Sequence, residues 1–257
     1  MSLCNKSIIN QKLNFMRQLC IAMLLLPFMA MAQTFEKGIL NMTEITAKQG
    51  HSTQFKDGVK KWTECMKENG TTGNWNFWTR VQGEGSVYGI TGMMDNWAEM
   101  DDESDDPAGA KCYSVASNFI VPHVEKTNRA MANTLPDWSK KTMATDTKLV
   151  WVTYFRVKDG GLFSEVVKDV SSTLASQEGE PRGQWYSIIG GDEDQADYMV
   201  VSSHPNFASL DKDEDGPFEV YKKVHGEKKT DAMREKWRNA VDTGWSYIWE
   251  LNAELSN

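Results

Sequence analysis

The chain has 257 residues, 40% of them apolar and 25% charged, with 36 acidic side chains against 28 basic ones. That composition suits a soluble protein with one large core or two small ones. The net charge of −8 argues against a nucleic acid partner, because phosphate binding needs clustered Lys and Arg.

In chain order the first element is an export signal. Lys6, Lys12 and Arg17 precede an apolar run over 19–32, and no acid occurs before Glu36. Ala30-Met31-Ala32 then stands before Gln33. A basic start, a short apolar core and a small-residue cleavage site describe a secretory signal peptide. The run is short for a bilayer crossing and Pro27 interrupts it. Residues 1–32 are therefore expected to be removed and the protein to be periplasmic or secreted. An uncleaved anchor is the alternative, and Met16 before Arg17 is a second possible start. Cleavage would leave 25 bases against 36 acids, a net charge of −11. No later apolar run is long enough for a membrane span. Cys4 and Cys20 depart with the signal, while Cys65 and Cys112 remain. In an exported chain these two form a disulfide or stay as buried thiols, and both readings are open.

ILNMTEIT (39–46) is rich in β-branched residues and reads as a strand. After a glycine turn, Phe55, Val59, Trp62 and Met66 are spaced as one face of a helix. NWNFWTRV (74–81) and SVYGITG (86–92) are two further strands. Asn96 is placed to cap a helix before Trp97-Ala98-Glu99. An acidic stretch and a second helical region follow. A fourth strand near RAMANTLPDW (129–138) is weakened by Pro136.

Beyond Ala144-Thr145-Asp146 the order recurs. KLVWVTYFRV (148–157) is a strand, and Phe163, Val167, Val170 and Leu174 repeat the helical spacing at an offset of 108. At an offset of 110, Thr43 matches Thr153, Gly73 and Trp75 match Gly183 and Trp185, Tyr88 matches Tyr198, and Asn96 matches Asn206. GWSYIWELNAEL (244–255) supplies the closing strand. One offset held this far reads as a duplication. The expected organisation is a signal peptide (1–32) and two repeats (33–144 and 145–257). Each repeat is a β-α-β-β-α-β unit of the ferredoxin-like kind, making the fold class α+β.

Two such units, each with a Trp-bearing second strand and an Asn-capped helix start, resemble the dimeric α/β-barrel superfamily. The closest flavour is the NIPSNAP and antibiotic-biosynthesis-monooxygenase-like group, over roughly residues 38–256. The resemblance implies two four-stranded sheets packed face to face, here as an intramolecular barrel in a monomer or homo-oligomer. It also implies a small-molecule oxygenase activity, in some relatives cofactor-free and in others haem-dependent.

Alternate strand residues point to opposite sheet faces. Trp75 and Phe77 share one face of their strand, while Asn76, Trp78 and Arg80 share the other. Both faces carry aromatics, as a sheet buried on two sides requires. A barrel mouth lined by Trp75, Tyr88, Trp185 and Tyr198 would suit a flat apolar or aromatic ligand. Asn41, Thr43, Arg80 and Thr153 are further pocket candidates.

No nucleophile, phosphate-loop or dinucleotide fingerprint occurs. Of the four histidines, His51 and His204 have no partner at metal spacing, and His123 lies in the second helical region. Tandem barrels of the chlorite-dismutase kind hold haem iron through a histidine, and the resemblance would place that role on His225. No flanking motif of that family matches, and the favoured reading is a surface or capping histidine. DKDEDG (211–216) copies the start of a calcium loop with Asp211, Asp213 and Asp215. Its twelfth position is Lys222, which opposes a cation. The matching stretch has Asp101, Glu103 and Asp105 without the glycine. Both read as solvated acidic loops, and no metal is expected. The residues thus suggest a ligand-binding or scaffold protein without a catalytic constellation. A monooxygenase-like enzyme is the alternative.

Overall fold

In the computed structural model, residues 34–102, 107–191 and 193–257 are described. The expected signal peptide, Glu103 and Asp105 lie outside them. The first half runs β1 (Ile39–Ala47), α1 (Ser52–Glu68), β2 (Asn76–Arg80), β3 (Ser86–Met94), a single helical turn (Glu99–Asp102), α2 (Pro107–Phe119) and β4 (Val124–Thr134). The second runs β5 (Leu149–Val157), α3 (Gly160–Glu178), β6 (Gln184–Ile188), β7 (Tyr198–His204), α4 (Pro217–His225), α5 (Glu227–Ala240) and β8 (Val241–Leu251).

Local chemistry sets these boundaries. The Asp159 carboxylate accepts from the Leu162 amide at 2.9 Å and so caps α3. Gly179, at φ 92°, ends that helix in the left-handed region. Gly226, at φ 79°, breaks the second helical region into α4 and α5. The Asn206 side chain caps the 3-10 turn Phe207–Asp211 by accepting from the Ser209 amide at 3.0 Å. The fourth strand of the first half ends at Thr134, so Pro136 falls beyond it in a 3-10 turn. Proline therefore removes no ladder hydrogen bond.

The eight strands pair in the order β1-β3-β2-β8-β5-β7-β6-β4, and β4 returns to β1. Every pairing is antiparallel. The expected pair of facing sheets is thus one continuous sheet closed on itself. The halves join edge to edge, closing the barrel. Both seams are short: Trp78, Thr79 and Arg80 meet Leu251, Glu250 and Trp249. On the other side Ala132, Asn133 and Thr134 meet Ile188, Ser187 and Tyr186.

Closure gives each strand an inner and an outer face. Val87, Val150, Val152, Tyr186, Met199 and Trp249 fill the interior, with Met42, Trp78, Tyr154 and Tyr247 packed against them. Phe35 enters the same cluster and meets Tyr186 edge-on at 5.4 Å. The outer face is covered by helices. Phe55 and Val59 of α1 meet Phe77 and Tyr88 on the first half. Phe163 and Val167 of α3 meet Trp185 on the second, with Phe155, Tyr198 and Val200 alongside. Burying each such ring contributes about 2–3 kcal/mol. The four rings pack as structural elements of the helix-covered face, so the alternative of a barrel mouth lined by Trp75, Tyr88, Trp185 and Tyr198 does not form. Trp78 and Phe77 settle the phase: the first joins the interior cluster and the second the helix layer.

The last six residues return to the first half. Phe77 O accepts from the Asn252 amide at 2.8 Å, and Trp75 O from the Asn257 amide at 2.9 Å. The Trp75 indole donates to Leu255 O at 2.9 Å. Leu255 is buried in the Phe55–Phe77–Tyr88 cluster.

Candidate functional site

The two helix layers are built from corresponding positions but packed differently. In the first half, Trp62 of α1 lies against Trp75 with ring centroids 4.9 Å apart. The Cys65–Cys112 disulfide ties α1 to α2 beside them. The sequence left that pairing open, and the structure forms the bond. In the second half the helical position matching Trp62 is Val170. A valine cannot span the gap to Trp185, and a cavity of about 400 Å³ remains.

Its walls are apolar. Val166, Val170 and Leu174 come from α3, Phe155, Trp185 and Val200 from the sheet, and Phe218 and Trp237 from α4 and α5. Phe155 stacks on Trp185 at 5.8 Å and 19°, while Trp237 stands nearly perpendicular to Phe155. These rings form a corner suited to a planar molecule. Polar groups are few: Thr153, Ser171, Ser202 and Arg182. The Thr153 hydroxyl lies 2.9 Å from the Ser246 hydroxyl. Arg182 donates to both Glu178 carboxylate oxygens and, at 2.7 Å, to Asp215 O. That last bond ties the cavity rim to the loop leading into α4. The Glu178 carboxylate pushes the guanidinium pKa further up.

The helix pair over the cavity is fastened by hydrogen bonds where the first half has a disulfide. The Tyr221 hydroxyl donates to Asp169 Oδ2 at 3.0 Å, and Thr173 Oγ1 lies 3.0 Å from His225 Nε2. Burial and that carboxylate push the Tyr221 pKa up to about 12.

The residues singled out in the sequence are distributed as follows. Thr153 and Trp185 line the cavity. Tyr198 lies next to it, stacked on Phe163 at 4.7 Å, and its pKa is raised by burial and by Asp197. Trp75 and Tyr88 occupy the filled layer of the first half. Asn41 and Thr43 lie on the same strand face as Ile45, whose side chain joins that layer. Arg80 points the other way, with its guanidinium 4.6 Å above the Tyr247 ring. Also inward, Glu44 has its pKa raised by burial against the opposing effects of Arg80 and Lys126. The residues that shape the cavity but escaped the sequence are Phe155, Val170, Val200 and Trp237. The Trp62–Val170 mismatch in the offset alignment was the available signal.

Two alternative metal readings, calcium in the acidic loop and haem iron at His225, gain no support from the geometry. Asp215 pairs with Lys223, and its carbonyl accepts from Arg182, so that member of the acidic loop is engaged by cations of the chain itself. Among the described residues, no three His, Cys, Asp or Glu side chains gather to hold a metal ion. His225 is engaged by Thr173 and the Tyr221 ring and does not line the cavity. Among the described residues, the lining contains no His, Cys, Met or Tyr, the side chains that hold haem iron. These residues do not fit a haem at that site.

No protein-family model and no curated protein matches the chain. Solved structures do. A "putative monooxygenase" from Fusobacterium nucleatum aligns over 84% of this chain and 93% of its own at a TM-score of 0.50 and 13% identity. A "putative monooxygenase" from Lactobacillus acidophilus aligns over 86% and 99%, with a TM-score of 0.50 and 12% identity. An "anthrone oxidase-like protein" aligns over 84% and 92%, with a TM-score of 0.48 and 10% identity. At such identities the likeness is one of fold, which this chain shares with the first two.

Proposed function

We propose that this is an exported protein that binds a small, flat, largely apolar molecule between the helices and sheet of its second half. One observation carries the reading: an apolar cavity of about 400 Å³ with an aromatic corner and a few converging polar groups. Ligand sites share that size and that balance of lining. The Thr153, Ser171 and Ser202 hydroxyls would orient one polar edge of the ligand, and Arg182 would meet a group at the rim. The basic, apolar and small-residue start of the chain supports export, and so does the Cys65–Cys112 disulfide, a bond that persists in oxidising compartments. The recurring element order supports descent by duplication within the dimeric α/β-barrel superfamily, in its NIPSNAP-like branch. The chain closes its own barrel, so the fold needs no second copy.

Native mass spectrometry of protein purified from its own host tests the proposal. A bound small molecule is expected in the wild type and lost in Val170→Trp, which would rebuild the packing of the first half. A wild type that carries nothing, and whose tryptophan fluorescence responds to no member of a panel of planar aromatics, would refute it.

A second reading is a monooxygenase-like enzyme acting in the same cavity, supported by the names of the two structures that share the fold. This chain would contribute desolvation and orientation. Among the described residues, no carboxylate or imidazole lines the cavity, so the substrate would have to lose its own proton readily. Oxygen consumption with the co-purified ligand, abolished by Val170→Trp, is the outcome that favours this reading over simple binding.

A further inference from the structure

The His51 and His123 side chains face each other, Nδ1 to Nδ1, at 2.9 Å. They come from places 72 residues apart, the turn before α1 and the 3-10 turn before β4. We infer that this pair is a binding site for a borderline divalent transition-metal ion of the zinc type. It lies in the half of the molecule that lacks the ligand cavity.

Three observations support it. First, both backbones are fixed in place. The Lys48 amide donates to His123 O and the His51 amide to Lys48 O, each at 2.9 Å, and the His123 amide donates to Ile120 O at 3.0 Å. The two imidazoles are thus presented by a cross-linked frame. Second, neither ring has another hydrogen-bonding task. His51 stands at the N-cap of α1 but makes no side-chain cap bond, and among the described residues neither imidazole pairs with a carboxylate. Third, both residues are half-buried, so an ion can reach them while much of the site is shielded.

A metal-free pair must share one proton, because one Nδ1 has to donate and the other accept. An ion at about 2.0–2.1 Å from each nitrogen, in tetrahedral geometry, needs them only about 3.4 Å apart. Slight side-chain rotation supplies that. Imidazole nitrogen selects zinc, nickel or copper over magnesium and calcium. Water would complete the shell, since two protein ligands converge among the described residues. The Lys48 ammonium, which donates to Pro122 O at 2.7 Å, is the nearby positive charge the ion must tolerate. Occupancy would tie the β1–α1 turn to the start of β4.

Zinc titration of the untagged protein by calorimetry tests this. One equivalent is expected to bind, and saturating zinc is expected to raise the thermal midpoint. His51→Ala and His123→Ala should each weaken binding by roughly tenfold or more and remove the thermal shift. His204→Ala and His225→Ala should leave both unchanged. Circular dichroism of the metal-free variants establishes folding, with His51→Gln and His123→Gln as the milder pair. Absence of zinc binding, or binding that survives both substitutions, would overturn the inference.

Discussion

The outer layers of the two halves answer one packing problem in opposite ways. Each half must cover a sheet face carrying a tryptophan near the start of its second strand, Trp75 or Trp185. The first does so with a second indole, Trp62, and a disulfide between its helices. The second has Val170 in place of the indole and polar contacts in place of the disulfide, and it keeps an open volume. One half of the barrel is thus stapled and filled beneath its helices, and the other keeps a cavity of about 400 Å³ there. The Trp62/Val170 position is one difference between the two layers, and the fastening of the helix pair is the other.

Four measurements probe that contrast. Trp75→Ala should cost about 3–5 kcal/mol in urea unfolding, while Trp185→Ala, already bordering empty space, should cost about 2–3 kcal/mol. Equal losses would mean the two layers are packed alike. Next, Cys65→Ala/Cys112→Ala should lose about 2–4 kcal/mol and leave ligand binding in the second half unchanged. A binding loss there would show that the halves are coupled. Third, Trp62→Val should open a void at about 2 kcal/mol, whereas Val170→Trp should stay within about 1 kcal/mol of wild type. The smallest effect concerns Tyr221→Phe, expected at about 1 kcal/mol near neutral pH. The folded pKa of Tyr221 is raised, from 10.0 to about 12. Its stabilising contribution is therefore complete below pH 10 and lost as pH climbs through 12. The gap between Tyr221→Phe and wild type should close over that window, and a gap unchanged by pH 12 would rule out the bond to Asp169.

Much of the architecture was legible from residues alone. The β-branched runs at 39–46 and 148–157 became β1 and β5, and the helical spacings from Phe55 and Phe163 became α1 and α3. Asn206 caps its turn as its position suggested. Three features were not legible. The phase of the strands was hidden because both faces of the barrel wall are buried and aromatic. Phe77 and Trp78 are neighbours that face opposite layers, and period-two alternation does not say which is which. The fourth strand was obscured because its first half, VEKTNR, is mostly exposed and carries no apolar rhythm. The His51–His123 encounter depends on two turns meeting in space, so no local spacing announces it.

The tail that follows β8 has a consequence for synthesis. Residues 252–257 complete the hydrogen bonding of β2 and plug the cluster around Phe55 with Leu255. The first half therefore waits for residues that are made only after the whole second half. A nascent chain released early would expose the aromatic layer of its leading half, and two fragments severed in the linker at 139–148 would each need the other to hide their inner walls. Such a chain is suited to being rebuilt from separately expressed pieces.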